Sequence, residues 1–170
     1  MRPLLRFPPL LLAPLAALML SACAPAPIYK VPANAVAATP MQVARTPENY
    51  AHGQVIWGGT VVSVTNFPDR TEIEVLALPL DGSQRPRLNA TASGRFIAVI
   101  PGYVEPLNYP PGAPITVSGT LNGSRAGHVG EASYVFPLVK VVQAHRWTAS
   151  EMTQGRNNVH FGLGLGVGIR

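Results

Sequence analysis

The side chains able to do chemistry in this chain are few and scattered. Its only cysteine is Cys23, in the stretch Leu20-Ser21-Ala22-Cys23. A lone thiol cannot close an internal disulfide, so Cys23 is buried and inert, reactive, or modified. The histidines, His52, His128, His145 and His160, stand far apart, in no spacing that sets two on one helical face around a metal ion. No metal and no other cofactor is expected. Glu72 and Glu74 lie two apart and so share one face of a strand; a solvated face is the simpler reading, a general acid/base pair the sharper one. The serines lack a Gly-x-Ser-x-Gly setting, and none has an identifiable histidine and acid to activate it. The chain is therefore not expected to be an enzyme.

Two further residues are candidates for contact with a ligand or partner. Trp57, beside Gly58-Gly59, would offer its ring to a ligand if exposed and would close a small barrel if buried; the core role is the expected one. Arg95 precedes Phe96; the phenylalanine is expected in the core and the arginine paired with an acid across the sheet.

The composition bounds what can position these groups. A chain of 170 residues, 47% hydrophobic and 12% charged, has room for one core with appendages. Its 18 prolines and 16 glycines favour strands, turns and tails over long helices. The net charge of +5 would suit nucleic acid or an anionic surface if the basic residues clustered, but they are spread singly. With 7% aromatics and no basic stripe, no nucleic-acid partner is expected.

Residues 1–22 read as a secretory signal: Arg2 and Arg6, an apolar run from Leu10 to Leu20, then small residues before the cysteine. The stretch "LSAC" resembles the lipobox of bacterial lipoproteins. The resemblance implies cleavage between Ala22 and Cys23, a diacylglyceryl group on the thiol of Cys23, and acylation of the new amino group. Membrane lipid would then be the first partner, since two lipid chains already hold a protein stably. Ala24, where an aspartate commonly retains such proteins in the inner membrane, favours by analogy the outer membrane. Residues 23–50, rich in proline and alanine, are expected to form a lipidated tether, or an arm lying on the domain, with Met41 to Thr46 open to a turn of helix or an edge strand.

From Val55 onward a period of two recurs. "QVIWGGTVVSVTN", "RTEIEVLALPL", "SGRFIAVIPG", "APITVSGTLNG" and "ASYVFPLVKVVQAHRW" are five strand candidates, the fourth expected to end in a turn at Asn122-Gly123. Gly58-Gly59 marks a bulge or a close backbone approach. The body, residues 51–150, is expected to be all-β: a small five-stranded OB-like Greek-key barrel, with a β-sandwich as the alternative. Residues 151–170 form a Gly-rich apolar tail in which Val159, Phe161, Leu163, Leu165, Val167 and Ile169 alternate with mostly glycine. An added edge strand, a contact ribbon and a disordered end are all open for it.

In order and spacing, "WGGTVVSVTN", "TEIEVLALPLDGSQRP", "GRF", "YPPGAPITVSGTLNG" and "GEASYVFPLV" resemble the Slp family of outer-membrane lipoproteins, known as starvation-inducible. Ile56, Val104-Glu105-Pro106 and Phe136-Pro137 depart from that pattern. The resemblance implies a lipid-anchored outer-membrane protein of the Gram-negative envelope and supplies no reaction. The expected function is a non-enzymatic, structural, envelope-associated or stress-related role, with an envelope protein as candidate partner. The alternative is a binding module for a small ligand or oligosaccharide in the periplasm or at the cell surface.

Overall fold

A computed structural model describes residues 26–153. Five strands, β1 (Gln54–Asn66), β2 (Arg70–Leu78), β3 (Arg95–Pro101), β4 (Pro114–Val129) and β5 (Ala132–Arg146), close into a barrel in the order β1-β2-β3-β5-β4. Only β3 and β5 run parallel; β4 returns antiparallel to β1 and completes the ring. This strand order is that of a five-stranded OB-type Greek-key barrel, as expected from the sequence.

Alternation decides which side chains enter. Val55, Trp57 and Val61 of β1, Ile73, Val75 and Ala77 of β2, Phe96 and Ala98 of β3, Ile115, Val117 and Leu121 of β4 and Val139 of β5 form one buried cluster. The register makes the cluster contiguous: Ile73 lies opposite Ala98, and Val75 opposite Phe96. Gly58-Gly59 is a close approach and not a bulge. A side chain on Gly59 would strike the carbonyl of Leu76, and one on Gly58 the carbonyl of Ile115, so the two glycines let β1 lie tightly between β2 and β4. The β1 bulge comes later, between Val61 and Ser63.

The fourth strand differs from expectation. Asn122-Gly123 is no turn; β4 continues to Val129, and the register shift between Leu121 and Ser124 absorbs one extra residue. Gly123 has φ 79°, and Gly130, where the hairpin does turn, has φ 59°. An Asn-Gly pair suits the left-handed region in a bulge as well as in a hairpin loop. The outcome depends on whether the partner strand continues, and β5 does. Beyond the bulge, β4 and β5 extend past the barrel as a two-stranded arm.

Residues 29–50 lie on the barrel as an arm, and so do not hang free as a tether. Val36 donates its backbone N–H to Gln54 at 2.7 Å, and Gln84 clasps Tyr29 through both its backbone N–H and its carbonyl, at 2.8 and 2.9 Å. A short helix, Pro40–Arg45, is started by a capping box: Thr39 Oγ1 accepts from the N–H of Gln42, and Gln42 Oε1 accepts from the N–H of Thr39. Its Val43, 1% exposed, joins the barrel core. A second short helix, Ala149–Thr153, follows β5.

Candidate functional site: a charged hollow on the barrel face

Ligands of OB barrels use the outer face of strands two and three and the loops beside it. Here that face carries a charged hollow of about 430 Å³. Its position follows from the register. Glu72 of β2 lies opposite Val99 of β3, and Val99 opposite Lys140 of β5. Lateral neighbours in a sheet share a face, so the three form a row on the outside while Ile73 and Ala98 point in. Arg70 and Pro101, also paired, close one end. The β4–β5 arm brings Arg125 over the other.

The centre of this arrangement is Glu72, whose carboxylate is 8% exposed. Nε of Arg70 donates to Oε1 at 3.0 Å, and Nη2 of Arg125 meets Oε2 at 2.8 Å. Burial alone would push the Glu72 carboxyl up, but the hydrogen bonds from Arg125 and Arg70 outweigh it and hold the group below its ordinary range. Arg70 also pairs with Asp69 at 3.0 Å and lies 4.4 Å over the ring of Phe67. The expected wet face of β2 thus contains one buried acid. Glu72 is covered because two arginines close over it, and a carboxylate so paired is poorly placed to accept a substrate proton.

Of the candidate site residues singled out in the sequence, Glu72 alone among the described residues lies in this hollow. Cys23 lies outside the described residues, as do His160 and nearly all of the tail. Trp57 is 7% exposed, 5.3 Å from the ring of Phe96 between centroids, and donates its indole N–H to the carbonyl of Ala38 at 3.0 Å. It closes the barrel and pins the arm. Arg95 pairs with Glu74 at 2.6 Å, the acid one step diagonal to it across β2 and β3. Glu74 is thereby occupied as well. His145 stands beside Glu151, Nε2 to Oε1 at 3.1 Å, and edge-on to Trp147. Among the described residues no three His, Cys, Asp or Glu side chains gather as a metal site would need. Arg125, seen in the sequence only as one of many dispersed charges, is the functional candidate that sequence reasoning missed. Its partner lies 53 positions away, and no local spacing announces that pairing.

A second, larger hollow of about 860 Å³ lies where the β2–β3 connection meets the end of β5, with Leu88, Pro114, Trp147 and Met152 in its wall and Arg87 and Arg146 beside them. Its floor is firmly built. Trp147 donates its indole N–H to Thr116 Oγ1 at 2.9 Å, and that hydroxyl donates to the carbonyl of Gln84 at 2.7 Å. Tyr29 packs nearby, its hydroxyl 3.5 Å from the Thr116 carbonyl. Burial, with the neighbouring Tyr109, pushes the Tyr29 phenol up to about 12, so it stays protonated across the physiological range.

A filled OB-type barrel with an ion-paired outer face, in a chain carrying a lipobox-like "LSAC", defines a small β-domain of the lipoprotein class. Residues 20–162 match the model of the outer membrane lipoprotein Slp family, and the chain belongs to that family. It is a lipid-anchored protein of the outer membrane. It is similar to the lipoprotein YeaY of Escherichia coli (strain K12), 33% identical over 135 residues that make up 77% of this chain and 68% of that one. It is also similar to the outer membrane protein Slp of the same organism, 30% identical over 113 residues, 66% of this chain and 60% of that one. Among solved structures, a small single-stranded DNA-binding protein from Streptomyces coelicolor aligns over 58% of this chain and 97% of its own, at 15% identity and a TM-score of 0.37. The strand order β1-β2-β3-β5-β4 by itself defines the OB-type barrel.

Proposed function

We propose that the protein is a non-enzymatic β-domain with a structural, stress-related role in the envelope, tethered through lipid on Cys23 and held against an envelope protein partner. The observation that carries this reading is the solid interior. Ile73, Val75, Phe96, Ile115, Val117 and Val139 are fully buried, and Trp57 fills the space against Phe96. A barrel packed in this way works through its surface, and the arm of residues 29–50 packs onto that surface. In host cells lacking the protein, the wild type is expected to restore resistance of the envelope to detergent, and the Cys23→Ala variant is expected to fail. Equal rescue by the unanchored variant would overturn the reading.

A second reading, a binding module for a small ligand or oligosaccharide, is favoured by one observation: the charged hollow lies on the face that OB barrels use for ligands.

A further inference from the structure

The hollow holds more positive charge than its own acids consume. Arg70, Arg125 and Lys140 face Asp69 and Glu72. Glu72 spends one carboxylate oxygen on each arginine, and Arg70 is further occupied by Asp69 and by the ring of Phe67. Arg125 uses Nη2 alone, and its side chain is 47% exposed. Lys140 is exposed and has no partner among the described residues. It stands two strands from Glu72 along one row, a separation of roughly 9–10 Å at the usual strand spacing.

A guanidinium held on one edge by a buried carboxylate presents its other edge in a fixed orientation, which suits a planar or tetrahedral oxyanion. The ammonium of Lys140 supplies a second, more adaptable donor. Val99 and Leu138 add apolar surface to the same lining. At about 430 Å³ the space falls within the roughly 300–1,000 Å³ typical of small-ligand sites. The ring of Phe67 is already covered by Arg70, so that ring is not open to a stacked base.

We propose that this hollow binds a sugar ring bearing one oxyanion, a phosphate or a carboxylate, with the anion on Arg125 and Lys140 and the ring against Val99 and Leu138. The proposal rests on the binding-module reading and names its ligand class. Glu72 is then a positioning residue, acting through Arg125.

The test uses the purified full-length protein in neutral detergent, titrated calorimetrically with glucose 1-phosphate, glucuronate and glucose, and separately with phosphatidylglycerol and phosphatidylcholine vesicles. Saturable binding of the two acidic sugars is expected, with none of glucose. Lys140→Gln and Arg125→Gln should each weaken it about tenfold, the scale of one charge-assisted hydrogen bond. Lys140→Gln removes no side-chain hydrogen bond or ion pair within the described residues, so an unchanged melting temperature separates lost recognition from lost folding. Glucose binding as tightly as its phosphate would keep the binding-module reading and overturn anion recognition. Binding to neither acidic sugar, with binding to phosphatidylglycerol vesicles tighter than to phosphatidylcholine vesicles and the difference lost in Lys140→Gln, would assign the cations to a lipid surface and overturn the proposal, since the acyl chains alone insert into either vesicle. An affinity indifferent to Lys140→Gln would overturn it too, and no binding of any probe would remove the module reading with it.

Discussion

Replacing Trp57 separates its two structural roles. In Trp57→Ala the barrel loses the ring that packs 5.3 Å from Phe96, and the carbonyl of Ala38 loses its donor. Truncating a buried aromatic to alanine costs about 3–5 kcal/mol, because a cavity remains where the ring was. In Trp57→Phe most of the ring volume stays and only the hydrogen bond to the arm goes, at about 1–2 kcal/mol. For a domain of this size 1 kcal/mol moves the midpoint by roughly 3–6 °C, so alanine should lower it by about 9–30 °C and phenylalanine by about 3–12 °C. Thermal unfolding followed by far-UV circular dichroism reads both shifts. Limited proteolysis adds a second readout: Trp57→Phe should expose the arm around Ala38 to cleavage before the barrel melts. A Trp57→Ala protein melting within about 2 °C of the wild type would refute the assignment of this ring to the core, and would return Trp57 to the role of ligand or partner contact.

Gly59→Ala should lower stability by about 1–3 kcal/mol, because the new methyl meets the backbone carbonyl of Leu76, which cannot move without parting β1 from β2. Gly82→Ala, where nothing lies within 4 Å, is the control and should change stability by less than about 0.5 kcal/mol in chemical denaturation. Glu72 gives stability a pH dependence of defined sign. Its folded-state pKa is lowered, so its contribution is fully present above the ordinary glutamate value of about 4.3 and is lost as pH falls through the lower folded value. Melting curves taken from neutral pH down into that acid range should fall more steeply for the wild type than for Glu72→Gln. Parallel curves would show that the carboxylate adds nothing to the fold.

Much of the barrel is legible in the sequence because its strands alternate cleanly. The run "QVIWGGTVVSVTN" coincides with β1, and the dry positions Thr71, Ile73 and Val75 of β2 are all fully buried. The arm carries a readable signal as well. Thr39 followed three residues later by Gln42, with Pro40 between, is a capping box written in the chain, and it starts the helix that delivers Val43 to the core. The candidate site was not legible. Its geometry depends on how far β5 lets β4 continue past Asn122, since only that extension carries Arg125 back to Glu72. An Asn-Gly pair looks the same in a turn and in a bulge, so the contact that builds the hollow is decided by a distant strand. The lower exposure of Glu72 than of Glu74 has the same origin: two arginines cover the first and one the second.

In the proposed function, lipid on the sulfur of Cys23 holds this barrel at the outer membrane. Intact-mass analysis of the mature protein extracted from outer membranes tests it most directly. The expected polypeptide begins at Cys23 and carries the added mass of a diacylglyceryl thioether and an amide-linked acyl chain, all of it lost in a peptide map if Cys23 is excised. A mature chain with an unmodified first residue, or one that retains residues 1–22, would rule out a lipid anchor on Cys23.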